Sequence, residues 1–150
     1  MNGLTRENPS TIAFVVNCYF SNAIDTEELQ QWAFMVVESA DSYPDYIAEL
    51  LNFDEPRFHI IRSIGFSPGR SFTEQEDEAV FGIAYLRNRK VFDGPSKDRA
   101  WNSLHNNHEI LTEFRTSFPF IQVEVQGLTS GSNRSLRSLG RAKARPLTKR

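Results

Sequence analysis

The feature of this sequence that most limits its fold is a helical spacing of apolar residues, which recurs in segments separated by breaks. In the first two segments, apolar residues recur at intervals of three and four, which places them on one face of an α-helix. They are Ile12, Val15, Val16, Tyr19, Phe20 and Ala23 in the first segment, and Leu29, Trp32, Ala33, Val36, Val37 and Ala40 in the second. Pro9 suits the first turn of the first helix. Asp25 and Glu28 predict a capping box at the start of the second.

Shorter segments with the same spacing continue as far as Pro119. Their apolar residues are Tyr46, Ile47, Leu50 and Leu51, then Phe58, Ile61 and Ile64 before Gly65, then residues 79–86 behind a Thr73 and Glu76 capping box, then Ala100, Trp101 and Leu104, and last Leu111, Phe114 and Phe118. Gly82 lies inside the most apolar segment, where glycine costs ~1 kcal/mol relative to alanine, so we expect another backbone to pack closely there. The sequence therefore predicts a mainly α, single-domain fold of six or seven helices.

Residues 120–126 carry a different pattern, in which apolar and polar residues alternate. One side carries Ile121, Val123 and Val125, and the other carries Gln122, Glu124 and Gln126. This alternation is typical of a β-strand. It predicts one short strand or hairpin near the C-terminal end of the folded part, paired with residues 90–92 or left as an open edge for another chain.

Charge divides the chain into two regions of opposite sign. All 19 Asp and Glu lie before residue 128, and residues 1–127 hold ten Lys and Arg, which gives that part a formal charge of −9. The last 23 residues hold seven Lys and Arg and no acidic residue. We interpret residues 1–127 as an acidic helical domain, and residues 128–150, which are rich in Ser and Gly, as a flexible basic tail. The acidic domain should attract cationic partners and repel nucleic acid.

The basic tail has three interpretations: contact with nucleic acid, contact with the acidic domain of the same chain, or an extension without function. It carries no aromatic side chain on which a base could stack, which favours the third interpretation. Any binding of nucleic acid is expected to depend on the tail.

Several features predict a cytoplasmic protein that does not enter the membrane. No apolar run approaches the ~18 residues of a membrane-spanning helix. Arg6 and Glu7 stand near the N-terminus, and no apolar signal core follows them. The single cysteine, Cys18, fits a reducing compartment.

His105 and His108 are the strongest candidates for metal ligands, because residues three apart in a helix share one side. However, two asparagines between them indicate a helix boundary, and the only other non-carboxylate ligands, His59 and Cys18, are remote in sequence. Cys18 falls on the apolar face of the first helix, where cysteine behaves as a small hydrophobic residue. The chain also lacks the Gly-x-Ser-x-Gly, Walker and Rossmann motifs. We predict no enzyme activity, no metal and no cofactor.

A family resemblance covers roughly residues 12–121. It is carried by the stretches AIDTEELQQWAFMVVESADSYPDYIAELLNFD, IIRSIGFSP, FGIAYLRNRKVFDGP and FRTSFPFI. In order and character these stretches resemble small bacterial immunity proteins of contact-dependent growth inhibition and related polymorphic toxin systems. The resemblance implies a non-enzymatic cytoplasmic protein that binds one toxin domain and blocks its active site or the approach of its substrate. It implies no catalytic residues.

Many toxins of this kind act on nucleic acid, so an acidic domain would mimic the phosphates of the substrate. The expected toxin-binding carboxylates lie at helix starts and turns: Glu27, Glu28, Asp41, Asp45, Glu49, Asp54, Glu55, Glu74 and Asp77. Exposed aromatic residues are expected to anchor the complex, and the candidates are Tyr43, Tyr46 and Phe72. Two alternatives remain open: a nucleic-acid-associated regulator that uses the basic tail, and a metal-dependent enzyme that uses His105 and His108.

Overall fold

A computed structural model describes residues 1–124, and within this range the chain is mainly helical, as predicted. It forms seven α-helices: α1 (Ser10–Phe20), α2 (Thr26–Ser39), α3 (Tyr46–Leu51), α4 (Ile60–Ile64), α5 (Glu74–Leu86), α6 (Lys97–Asn106) and α7 (His108–Ser117). A 3-10 helix, Arg57–His59, directly precedes α4. The predicted tail, residues 128–150, lies outside the described residues. None of the helices in residues 1–124 has the length and apolarity needed to cross a bilayer.

The local signals for helix ends are largely confirmed. Both predicted capping boxes form: Glu28 N donates to Asp25 Oδ1 at 2.8 Å, and Glu76 N donates to Thr73 Oγ1 at 3.0 Å. Gly65 ends α4 with φ 91°, a left-handed conformation that glycine adopts without steric cost. Pro9 lies one position earlier than predicted, because it is the residue that precedes α1.

The predicted strand is wrong for the residues that the structure describes, since no strand occurs in residues 1–124. After α7, Ile121 N donates to Phe118 O at 3.0 Å, which turns the chain back. Arg115 of α7 then donates to Val123 O from Nε at 3.1 Å and from Nη2 at 2.8 Å. Val123 is buried and Glu124 is exposed. The alternating residues therefore form a turn packed on α7. The Val123 backbone oxygen in this turn accepts from the Arg115 side chain and not from a neighbouring strand.

The core is built around large side chains that are fully buried. Trp32 of α2, Phe14 and Tyr19 of α1, and Phe114 of α7 are among them. Phe118, which follows α7, is fully buried as well. Because these residues come from the first, second and last helices, one core joins the two ends of the described chain.

The contact between α5 and α6 is the most extensive between two helices. A Cβ atom on Gly82 would lie only 2.7 Å from the Ala100 backbone oxygen, which confirms that another backbone packs against this glycine. Nearby, Ser103 Oγ donates to Oε1 of the buried Glu78 at 2.8 Å.

Two phenylalanines that the helical spacing predicts to be buried are exposed. Phe20 is 45% exposed and Phe58 is 70% exposed. Phe20 ends α1. Phe58 belongs to the 3-10 helix, which has fewer residues per turn than an α-helix and so shifts the phase of the following residues. Ile60 takes the fully buried position that the spacing assigned to this region.

Three arginines hold the turn between α1 and α2. Arg87 Nη1 donates to Ala23 O at 2.6 Å, and Arg89 Nε donates to Asn22 O at 2.6 Å. Arg57 donates to Tyr19 O and to Asn22 Oδ1, and its guanidinium stacks over the Tyr19 ring at 4.3 Å. The start of α2 is therefore fixed by side chains from the 3-10 helix and from the end of α5.

Candidate functional site

Within residues 1–124, the most uneven stretch of charge is residues 7–56, which hold ten Asp and Glu and no Lys or Arg. Helix α1 carries none of these acids, so nine of them fall in residues 25–55. We call residues 25–55, which comprise α2, α3 and their flanking turns, the acidic helix pair. The two helices pack together, and Gln30 Nε2 of α2 donates to Phe53 O after α3 at 2.7 Å.

Helix α2 has a buried face and an exposed face. Its buried residues are Leu29, Trp32, Ala33 and Val36. The exposed residues are Glu27, Gln31, Phe34, Glu38 and Ser39. The first four of these exposed residues are spaced by four, three and four, so they form one stripe along the helix.

Two acids of the helix pair are turned toward the protein. Arg87 donates to both carboxylate oxygens of Glu28, at 2.9 Å to Oε1, and Arg89 lies 3.6 Å from Oδ2 of Asp25. Burial raises the pKa of Glu28, but hydrogen bonds from Arg87 and Asp25 and the charges of Arg87 and Arg89 outweigh it, so the pKa lies below its usual value. The fold therefore already uses the Glu28 carboxylate, which sequence analysis assigned to toxin binding.

Six other acids of the helix pair are exposed, and none has a Lys or Arg within salt-bridge distance in the described part of the chain. They are Glu27, Glu38, Asp41, Asp45, Glu49 and Asp54. Glu55 is also exposed and contacts only Nδ1 of His59, at 2.9 Å. Carboxylates are ionised at neutral pH. The helix pair therefore presents a strongly negative, uncompensated surface.

Phe34 is a candidate contact residue that sequence analysis missed. Its side chain is 57% exposed, in the α2 stripe between Gln31 and Glu38. The signal was available: Phe34 lies seven residues after Glu27, on the side of the helix that carries polar residues. A large apolar side chain among carboxylates is unusual on a solvated face and is suited to anchor a protein partner.

The predicted aromatic anchors have different environments. Tyr43, between α2 and α3, is 39% exposed and fits the prediction. The helical spacing places Tyr46 on the apolar face of α3, which is confirmed, and its prediction as an exposed anchor is wrong: the side chain is buried, and its hydroxyl donates to Leu4 O. Burial raises the pKa of Tyr46 above its usual value. Tyr46 connects α3 to the N-terminal segment and is not a free anchor.

The remaining predicted contact residues lie around the start of α5, outside the helix pair. Glu74 accepts a hydrogen bond from Arg99 at 2.9 Å, and Asp77 accepts one from Asn17 Nδ2 at 2.9 Å. Phe72 is half-buried beneath the guanidinium of Arg70. These three residues are engaged in contacts within the chain, in contrast to the exposed acids of the helix pair.

The structure separates the two histidines considered as metal ligands. His105 lies in α6 and His108 begins α7, with Asn107 between the helices, so they do not share one continuous helix. No group of three or more His, Cys, Asp or Glu in residues 1–124 is arranged to hold a metal ion. Cys18 is buried, and burial is the main cause that raises its thiol pKa well above the usual value, which disfavours the nucleophilic thiolate.

Comparisons with protein-family models, with curated proteins and with solved structures find no match for this chain. What the protein does is therefore inferred from the geometry and charge of the chain itself, together with the resemblance noted in its sequence.

Proposed function

We propose that this protein is an immunity protein, which binds a basic toxin domain in the cytoplasm and blocks it by occupancy without turnover. The observation that carries the proposal is the surface of the acidic helix pair. It carries six exposed carboxylates without cationic partners in the described residues, and two of them, Glu27 and Glu38, lie in the same α2 stripe as the exposed ring of Phe34. A basic active site that accepts nucleic acid phosphates is the surface that such an arrangement complements.

Charge and apolar contact would have separate tasks in this complex. An exposed ion pair contributes only ~0.2–1 kcal/mol, so the carboxylates would mainly steer and orient the toxin as it approaches. Buried aromatic anchors dominate the affinity of most interfaces. Phe34 and Tyr43 are placed for this task, because both are exposed within residues 25–55.

The electrostatic part is tested by a charge-reversal triple, Glu27→Lys with Glu38→Lys and Asp41→Lys. The ligand to test is the product of the adjacent upstream gene, which the proposal expects to carry the toxin domain, and the measurement is the association rate constant at low and high salt. We expect a fall of ~10-fold or more at low salt and a weaker dependence on salt. The matched control reverses three exposed acids elsewhere, Glu7, Glu109 and Glu124, and changes the net charge equally.

The apolar part is tested with Phe34→Ala. We expect the dissociation rate constant to rise by ~10-fold or more, with little change in association. If the two charge-reversal triples lower the association rate constant equally, the acidic helix pair is not the toxin-binding surface. A full chain that neither binds nor inhibits the toxin would refute the proposed function.

The alternative of a nucleic-acid-associated regulator depends on residues 128–150, outside the described residues. It predicts that the full chain binds duplex DNA or RNA with a steep dependence on salt, and that the binding disappears when residues 128–150 are deleted. An immunity protein should keep its inhibitory power after the same deletion.

A further inference from the structure

Three exposed phenylalanines surround the C-terminal end of α1. Phe20, the last residue of α1, is 45% exposed, Phe58 is 70% exposed and Phe92 is 69% exposed. Phe58 follows Arg57, which donates to Tyr19 O. Phe92 lies between Lys90, whose backbone oxygen accepts from Asn22 Nδ2 at 2.8 Å, and Gly94, which packs against the Phe81 ring.

One of these rings, Phe20, lines a groove. Its volume is about 430 Å³, and its apolar lining comes from Val16, Phe20, Ile61, Pro68, Phe72 and Phe81. Ile61 in this wall lies three residues after Phe58, so the protruding ring of Phe58 and the groove are neighbours. We call the three exposed phenylalanines and this groove the aromatic face.

The aromatic face carries little net charge, in contrast to the acidic helix pair. Arg70 in the groove donates to both oxygens of Glu113, at 2.6 Å and 2.9 Å. Asp77 accepts from Asn17, also in the groove wall. Lys90 and Asp93 stand on either side of Phe92 and balance one another. A strongly basic partner would therefore be drawn to the helix pair and not to this face.

We propose that the aromatic face joins two copies of this chain in a symmetric dimer, in which Phe58 of each copy enters the groove of the other. A two-fold dimer requires that one surface contains both the protruding group and its recess, and Phe58 beside the groove meets this requirement. Interfaces of homodimers are also more apolar and poorer in charge than those of transient complexes.

The three rings supply part of the area that a second copy would bury, and the balanced charge of the aromatic face makes it the contact with least repulsion. At ~200 Å² for each ring side chain, the exposed parts of the three phenylalanines amount to about 370 Å², which is within the size range of functional apolar patches and supplies roughly half of one partner's share of a standard interface. Two domains with a formal charge of −9 each repel one another. Contact through a face of balanced charge keeps that repulsion small and leaves the exposed stripe of α2 free in both copies.

The test is the mass of the full chain in solution, measured by sedimentation equilibrium over a range of micromolar concentrations. We expect a species of twice the 17.2 kDa of one chain. Phe58→Glu and, separately, Phe92→Glu should raise the dimer dissociation constant by ~30-fold or more, because each places a charge in an apolar contact. Phe34→Glu, at a comparably exposed ring on α2, should leave the dimer intact. Circular dichroism confirms that each variant is folded.

A wild-type chain that remains monomeric throughout this range would overturn the dimer. The same conclusion follows if folded Phe58→Glu protein still dimerises, or if Phe34→Glu dissociates it. The dimer and the proposed immunity function fail separately, since Phe58→Glu should retain toxin binding at each acidic helix pair and Phe34→Glu should weaken it.

Discussion

Replacement of neighbouring acids at the start of α2 separates a carboxylate that holds the fold from one that is free to bind. Glu28 and Arg87 form an ion pair in which the side chains are only 17% and 18% exposed. Glu27 is exposed and has no cationic partner in the described residues. We predict that Glu28→Gln lowers the free energy of unfolding while Glu27→Gln leaves it nearly unchanged.

The size of the effect follows from what glutamine keeps and loses. The Asp25 backbone N–H donates to Glu28 Oε1 at 3.0 Å, and the amide oxygen of glutamine can still accept this hydrogen bond. The hydrogen bond from Arg87 Nη2 is lost, because the amide nitrogen that replaces Oε2 cannot accept it, and the charge interactions with Arg87 and Arg89 are lost with it. Exposed pairs contribute ~0.2–1 kcal/mol, and breaking fully buried pairs costs ~3–5 kcal/mol. A pair of intermediate burial should cost about 2 kcal/mol, since hydrogen bonds to charged groups contribute ~1.5–3 kcal/mol.

Urea unfolding at neutral pH measures this difference. For an m value of ~2 kcal/mol/M, the midpoint of Glu28→Gln should fall by about 1 M, and that of Glu27→Gln should move by no more than ~0.25 M. Toxin association should respond in the opposite way, because only Glu27 adds to the exposed charge. Equal midpoints for the two variants would refute the structural role of Glu28, and equal losses of toxin association would place Glu28 on the binding surface.

The same pair makes a prediction about pH. Because the pKa of Glu28 is lowered in the folded state, its contribution to stability is present above the pKa of the unfolded chain, ~4.3, and is lost as pH falls through the lower folded value. The difference in unfolding free energy between the wild type and Glu28→Gln should therefore be constant between roughly pH 5 and pH 7, because these pH values lie above the pKa of the unfolded chain. It should narrow below about pH 4. A difference that grows on acidification would contradict the assigned direction of the pKa shift.

Two further substitutions test the packing. Gly82→Ala should lower the free energy of unfolding by ~1–3 kcal/mol despite the higher helix propensity of alanine, because its Cβ would lie 2.7 Å from Ala100 O. The control is Gly69→Ala, because the space around Gly69 is open. A Gly82→Ala protein that is more stable than the wild type would contradict the close packing. Tyr46→Phe should cost ~1 kcal/mol through loss of the hydrogen bond to Leu4 O, and hydrogen exchange should quicken at the Thr11 amide, which bonds Gly3 O. An unchanged exchange rate at the Thr11 amide would show that Tyr46 does not stabilise the N-terminal segment.

Sequence reasoning succeeds where the cause is local. The capping box at Asp25 and the apolar spacing that follows it are sufficient to predict α2, because both act within a few residues. The left-handed end of α4 at Gly65 is likewise a property of one residue. The excess of carboxylates in residues 1–127 is counted directly from the sequence, so it can be predicted without the structure.

The errors arise where a distant residue decides. The hydroxyl of Tyr46 is not free for a partner because Leu4, 42 positions earlier, accepts its hydrogen bond. Residues 120–124 alternate as the residues of a strand do, but they form a turn packed on α7. Arg115 donates to Val123 O there, and an alternation pattern cannot indicate that contact. Whether a carboxylate is free or paired is also a tertiary property: Glu27 and Glu28 are neighbours in sequence, and only the position of Arg87 distinguishes them.

The arginines that hold the turn before α2 have a consequence for the order in which the chain becomes functional. Arg87 and Arg89 contact the turn across 64 and 67 positions of sequence. During synthesis, α2 emerges from the ribosome well before these two residues do, and closing so long a loop is a late event in folding. A nascent chain that ends before α5 is complete should therefore display its acids without a fixed orientation, and under the proposed function it would inhibit a toxin only once the second half of the protein has been made.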